Sequence, residues 1–300
     1  MSVNNVSTFG SLQSLLQNMG SVQSDLNNDQ QEISSGQVSE TFQGLGSNVE
    51  QFTSFNAQLA RLSNYQQDNT TLLSQMQATN TALSQIETIA NNVNSLIASQ
   101  RSGSASAASF QQQLQSQMTA LSSALNTTYG SSYLFSGTDT NTPPIKSEIP
   151  APATPGVPND AYYQGSSQDV TARIADNDVM TPNVRADNTA FQQLYAGIQQ
   201  VLGSTSDESL SSAENLVETG LQGVIGLQAT VNTNIVNVQA VNSQNQTQQT
   251  YLKGLVSNIS SADVVTLSTQ VAQDQSVLEA TYSTFARISS LSILSYLPNT

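Results

Sequence analysis

Three residue types are missing altogether from this 300-residue chain: cysteine, histidine and tryptophan. Without cysteine no disulfide framework or thiolate metal site can form. Without histidine the imidazole behind most acid–base and metal chemistry is gone. Basic residues are nearly as scarce. Seven Lys and Arg stand against 21 Asp and Glu, for a net charge of −14. Arg61, Arg101, Lys146, Arg173, Arg185, Lys253 and Arg287 are scattered singly, whereas nucleic acid and anionic membrane attract clusters of positive charge. The expectation is therefore no nucleic acid and no membrane as partner. The acidic excess is better read as keeping a low-charge surface soluble.

Charged residues make up only 9% of the chain, against roughly a quarter in average soluble proteins. Apolar residues, at 37%, are too few for a thick globular core but sufficient for narrow stripes along helices. Long hydrophobic runs are lacking too: no stretch approaches about 18 uninterrupted apolar residues. Residues Met1 to Gly20 have neither a basic n-region nor a continuous apolar core, so no cleaved signal peptide is expected. A protein of this kind would leave the cell only by a route that does not cleave it.

What is present is a seven-residue period. Leu12, Met19, Leu26 and Ile33 carry it first, with Phe9 and Leu16 on the adjoining position, until Gly36 and Gly44-Leu45-Gly46 interrupt it. A second helix is expected from about Asn48 to Gln100, about 75 Å long. Its stripe is Phe55, Leu62, Asn69, Met76, Leu83, Ala90 and Ile97. After a Ser/Ala/Gly turn, Phe110, Leu114, Met118, Leu121 and Leu125 mark a third helix, and the short connection predicts an antiparallel hairpin.

Helical patterning then stops. Tyr133-Leu134-Phe135 reads as a short strand, and six prolines between Pro143 and Pro158 exclude a helix interior. Alternation through Val170, Ala172 and Ile174, then Val179 and Val184, predicts a small β insert. Phe191, Leu194, Tyr195, Ile198 and Val201 resume a helix that ends at Gly203. Thr205 and Glu208 have the spacing of a capping box for the next one. Leu210, Val217, Val224, Val231, Val238, Asn245, Leu252 and Ile259 then recur every seven residues. Ser260 to Asp263 recaps the chain before a last helix bearing Val264, Leu267, Val271, Leu278, Phe285, Ile288, Leu291 and Leu294.

The expected fold is mainly α, with long heptad-bearing helices forming an elongated rod and a small β insert in mid-chain. The regions are 1–142 (helical), 143–187 (β-rich insert) and 188–300 (helical). Terminal helices at about 1–36 and 261–300 should pair on assembly, since so thin a stripe needs a covering partner to offset chain entropy.

The search for chemistry returns little. A Ser–Lys dyad would need Lys146 or Lys253, and a solvated surface lysine is the better reading of each. Asp176 and Asp178 read as turn residues, and Asp25, Asp29 and Glu32 as a solvated acidic face. Asp139 with Asn141 begins like a calcium loop, but Pro143-Pro144 replaces its continuation. No catalytic, cofactor-binding or metal-binding residue is expected, no cofactor, and no enzymatic activity. Gly220, Gly223 and Gly226 read as a small-residue face for close helix approach, at about 1 kcal/mol each in helix propensity. Asn69 and Asn245 break apolar stripes, either to fix register or as solvent-exposed gaps.

Two segments carry a family resemblance. The C-terminal run from Ala280 to Leu297, ATYSTFARISSLSILSYL, resembles the terminal helix of the flagellin superfamily. The run from Asn126 to Pro144, NTTYGSSYLFSGTDTNTPP, is similar to its hook–filament junction branch (hook-associated protein type 3). There a YLFSG followed by threonines and proline closes the N-terminal helical half. Tyr162-Tyr163-Gln164-Gly165, Asn183-Val184 and Ala190-Phe191 resemble the insert and its exit in the same branch. The opening residues Met1 to Phe9 lack the basic and methionine-rich character usual there. The resemblance implies a structural subunit of the bacterial flagellum, secreted by type III export and located outside the cell. It implies as partners copies of itself in a ring or filament, a neighbouring hook-associated protein and flagellin, and an export chaperone. A filament flagellin is the alternative, and a secretion-system tip or translocator protein a lower one.

Overall fold

The computed structural model describes residues 3–38, 42–103, 106–150 and 154–294. Six helices occur among them: α1 (Val3–Ser35), α2 (Val49–Arg101), α3 (Ala107–Leu125), α4 (Thr189–Gly203), α5 (Asp207–Ser260) and α6 (Val264–Leu294). Two antiparallel two-stranded ribbons lie between α3 and α4. Strands β1 (Thr128–Tyr129) and β2 (Ser132–Tyr133) form one, and β3 (Ala172–Ala175) and β4 (Asp178–Met180) the other. The class is mainly α with a small β insert.

The chain divides into two compact units, residues 61–248 and residues 1–60 with 249–300. In the first, α2 and α5 run antiparallel. Arg101 Nη2 pairs with Glu214 at 2.7 Å, Gln228 Nε2 donates to Glu87 Oε2 at 3.0 Å, and Asn69 Nδ2 donates to Asn242 Oδ1 at 2.9 Å. The heptad stripes supply what lies between. Leu62, Met76, Leu83, Ala90 and Ile97 of α2 are buried, as are Leu210, Val217, Val224, Val231 and Val238 of α5. Helix α3 doubles back so that Ala120 and Ala124 lie beside Thr88 and Ile89. Ser106 caps it, its side chain accepting the Ser109 N–H.

Close approaches at glycines set α4 on α5, among them Gly197 of α4 against Val217. A Cβ on Gly223 would stand 2.6 Å from Ala190 Cβ, and one on Gly220 2.8 Å from the Ala190 carbonyl oxygen. The small-residue reading therefore holds for these two. Gly226 has nothing within 4 Å of its missing Cβ and takes no part. The cap of α5 also differs from expectation. Ser206, not Thr205, accepts the Ser209 N–H at 3.2 Å, so Glu208 is one position short of closing a capping box.

The insert builds no core of its own. Ile145, Tyr162, Ile174, Val184 and Ala186 are buried in the same cluster as the helices. Phe135 meets Phe191 edge-on, centroids 6.1 Å apart. The Ile145 N–H donates to Asn126 Oδ1 at 2.9 Å, and Ala186 N–H to the Phe135 carbonyl at 2.9 Å. Lys146 is not simply solvated: its Nζ donates to the Ala161 carbonyl at 2.6 Å, bracing the proline-rich run. Gly137, at φ 66°, sits where any Cβ would strike the Ser166 carbonyl oxygen. That contact and its backbone conformation both require glycine.

Candidate assembly interface

In the unit formed by residues 1–60 and 249–300, α1 and α6 pair within one chain. Gly36 (φ 69°) ends α1. The Ala262 N–H then donates to the Gly36 carbonyl at 3.0 Å, and Val38 N–H to the Ser260 carbonyl at 2.8 Å. This bridge turns α6 back along α1, antiparallel. Asp263 starts α6, its carboxylate accepting the N–H groups of Val265 and Thr266 and the Thr266 hydroxyl, the last at 2.7 Å. Those bonds, led by the Thr266 hydroxyl, hold its carboxyl below the usual range.

Burial along the pair follows alternating steps of three and four. On α1 the covered positions are Leu12, Leu15, Met19, Val22, Leu26, Asp29 and Ile33. On α6 they are Leu267, Val271, Asp274, Leu278, Thr281, Phe285 and Ile288. Only Leu26 is fully buried, and the others are half-covered. A two-helix seam closes over one face and leaves the rest to solvent. The uncovered side is not polar throughout: Leu16, Val264, Val265, Val277 and Tyr282 are exposed, Val265 by 79%. The side chains of Phe9, Leu291 and Leu294, and residues 295–297 of the C-terminal motif, lie outside the described residues.

The acidic residues of α1 part company here. Asp25 is exposed as expected, but Asp29 and Glu32 are half-buried. Burial first, then the Asp274 and Asp25 charges, push the Asp29 carboxyl up. Burial and then Asp29 push Glu32 up. The sequence reading of a solvated face missed this. The three-four spacing from Leu26 through Asp29 to Ile33 was the signal that could have found it.

Two of the other residues weighed in the sequence, Asp176 and Asn69, make contacts within the fold. Asp176 pairs with Arg61 at 3.1 Å and accepts from the Tyr65 hydroxyl at 3.1 Å. Asn69 and Asn245 are both buried, which removes the exposed-gap reading. Asn69 Nδ2 ties α2 to the Ile174 carbonyl as well as to Asn242, while Asn245 Nδ2 has no partner among the described residues. A cleft of about 610 Å³ in the unit of residues 61–248 has a mixed lining, Leu72, Met76, Leu134 and Pro182 beside Asn69 and Arg173. Among the described residues no three acidic side chains gather to hold a metal, and no helix is long and apolar enough to cross a membrane.

Residues 6–140 match the family model of the bacterial flagellin N-terminal helical region. No curated protein matches the chain. Among solved structures, a flagellar hook-associated protein from Vibrio parahaemolyticus is similar at 14% identity and a TM-score of 0.56, over 71% of this chain and 97% of that one. FlgL from Bacillus cereus aligns at 14% identity and a TM-score of 0.49, over 63% and 98%. Residues 6–140 are thus similar in sequence to the flagellin N-terminal helical region, and over 71% of its length the chain shares the fold of the Vibrio parahaemolyticus protein.

Proposed function

We propose that this protein is a non-enzymatic structural subunit of the bacterial flagellum, acting at the hook–filament junction. The observation that carries assembly is the α1–α6 pair, a one-sided seam with apolar residues left uncovered outside it. Neighbouring copies packed around the pair would bury Val265, Val277 and Tyr282, which flank the seam on different sides of α6, at about 25 cal/mol per Å², and the terminal helices would line an inner ring. The regions follow as functional parts: 1–142 and 188–300 supply helices for stacking, and 143–187 forms the insert between them. Export as an unfolded chain through the flagellar type III route, with a chaperone covering the terminal stripes, accounts for their apolar character before assembly.

The short insert and the YLFSG-to-proline run favour the junction over a filament flagellin, and the hook-associated neighbour in fold points the same way. Fluorescent labelling of a functional tagged copy tests this. A single focus at each filament base is expected, and label along whole filaments would make the protein a flagellin instead. Val265→Asp with Tyr282→Asp tests the interface. The pair should leave monomer helicity unchanged and abolish sedimenting assemblies; unaltered assembly would sink the role given to those residues.

A further inference from the structure

The seam between α1 and α6 contains two carboxylates where a heptad calls for apolar side chains. Matching the covered positions of the two antiparallel helices in order, Ile33 with Leu267, Asp29 with Val271 and Leu26 with Asp274, puts the two aspartates in adjacent layers of the seam. Asp29 is half-covered, and its Oδ2 is buried without a hydrogen-bond partner among the described residues. No cation answers them. Residues 1–60 contain no Lys or Arg at all. The only basic residues of this unit are Lys253, on α5, and Arg287, which lies thirteen residues past Asp274, about 20 Å along the helix. The remaining charged groups facing the stretch are Asp25 and Glu32 on α1, both acidic.

We propose that Asp29 and Asp274 form an acid-responsive latch: ionised, they hold the middle of the α1–α6 pair loose, and a proton taken up between them draws the helices together. Two like charges on a half-dehydrated seam repel and each loses hydration. Protonating one removes the repulsion and supplies an O–H donor for the oxygen now lacking a partner. Folding raises the Asp29 carboxyl above its unfolded value. Its contribution is therefore complete below the ordinary carboxyl range and fades as pH rises through the folded value. With both carboxylates ionised the latch is open, which leaves the terminal helices free to exchange their partner in the same chain for neighbours. This regulation rests on α1 and α6 being the assembly elements.

Hydrogen exchange on the full-length monomer, corrected for intrinsic rates, reads the latch directly at residues 22–33 and 267–278. As pH falls from neutral towards 3.8, the unfolded carboxyl value, the wild type should gain protection several-fold. Asp29→Asn and Asp274→Asn should each be protected at neutral pH and nearly flat with pH. The double variant should gain little beyond either one, because the two act as a unit. Glu279→Gln, on the exposed side of α6, should leave the pH response intact. A response that survives in Asp29→Asn overturns the latch. So does a loss of protection at neutral pH in that variant, which would make the carboxylate a register-fixing group. Sedimentation of the same proteins separates the two readings. Absent assembly with an intact pH response removes the assembly role alone, and the converse removes the latch alone.

Discussion

Tyr162 and Tyr195 stack at a tilt, ring centroids 4.2 Å apart, with each hydroxyl fixed on a different side of the junction between insert and helices. The Tyr162 hydroxyl donates to the Ala186 carbonyl at 2.9 Å, and the Tyr195 hydroxyl shares a hydrogen bond with Ser122 Oγ at 2.9 Å. One contact thus binds the insert to α3 and α4. Burial pushes both phenols far above their ordinary value, and Tyr163 nearby, also mainly through burial, up to about 12.

Removing the Tyr195 hydroxyl should cost about 1 kcal/mol, because Ser122 keeps its bond to the Met118 carbonyl. Tyr195→Ala, which empties a fully buried ring site, should cost about 3–5 kcal/mol. Urea titrations followed by circular dichroism measure both. The raised phenols also set an alkaline limit. Their contribution is complete below pH 10, where the unfolded phenol ionises, and is lost as pH rises through the folded values. The tyrosinate absorbance of the buried rings should therefore appear together with unfolding, well above pH 10.

The glycines of α5 should respond in opposite directions. Gly223→Ala places a methyl 2.6 Å from Ala190 Cβ, and shifting α4 should cost about 1–3 kcal/mol, only partly offset by improved helix propensity. Gly226→Ala meets nothing and should stabilise by about 0.5–1 kcal/mol. Paired thermal melts of the two variants decide it: equal shifts would mean that α4 does not press on Gly223.

Buried asparagines offer a second pair of opposites. Asn69→Leu strips donors from the Ile174 carbonyl and Asn242 Oδ1 and should cost about 2–3 kcal/mol. Asn245→Leu removes a buried amide whose Nδ2 has no partner, so it should be neutral or stabilise by about 1 kcal/mol. Denaturant midpoints measured at equal slope read both changes.

Those two residues also mark how far the sequence could be read. The seven-residue stripe on α5 was legible because a buried seam repeats with the helix, and every position from Leu210 to Leu252 is buried. Asn69 broke its stripe visibly. Its partner, the Ile174 carbonyl, lies 105 residues away and depends on how β3 folds over α2. The cap of α5 was misplaced by one residue, because Ser204, Thr205 and Ser206 are equally good acceptors until the backbone selects one. Asp29 and Asp274 are ordinary acidic residues on their own helices. They become neighbours only once α6 packs back along α1 and the covered positions of the two helices are matched.

Asp263 should oppose Asp29 in acid. Its carboxyl is held below the ordinary 3.8 by the Thr266 hydroxyl and by backbone N–H groups, so its cap is fully made above that value and is lost as pH falls through the lower folded one. Asp29 shifts the other way, gaining as pH falls towards 3.8. Starting from neutral pH, the α1–α6 pair should first tighten as Asp29 takes up its proton, then loosen as the start of α6 loses its capping carboxylate. Helicity and exchange protection of α6 should therefore pass through a maximum in mild acid. Asp263→Ala should lower protection in the first turn of α6 at neutral pH, with the difference from wild type vanishing in strong acid where the native cap is protonated. Asp263→Asn, which keeps an acceptor oxygen without the charge, should restore part of the protection and remove the acid-side decline. A monotonic pH profile in the wild type would show that one of these aspartates does not act on the pair.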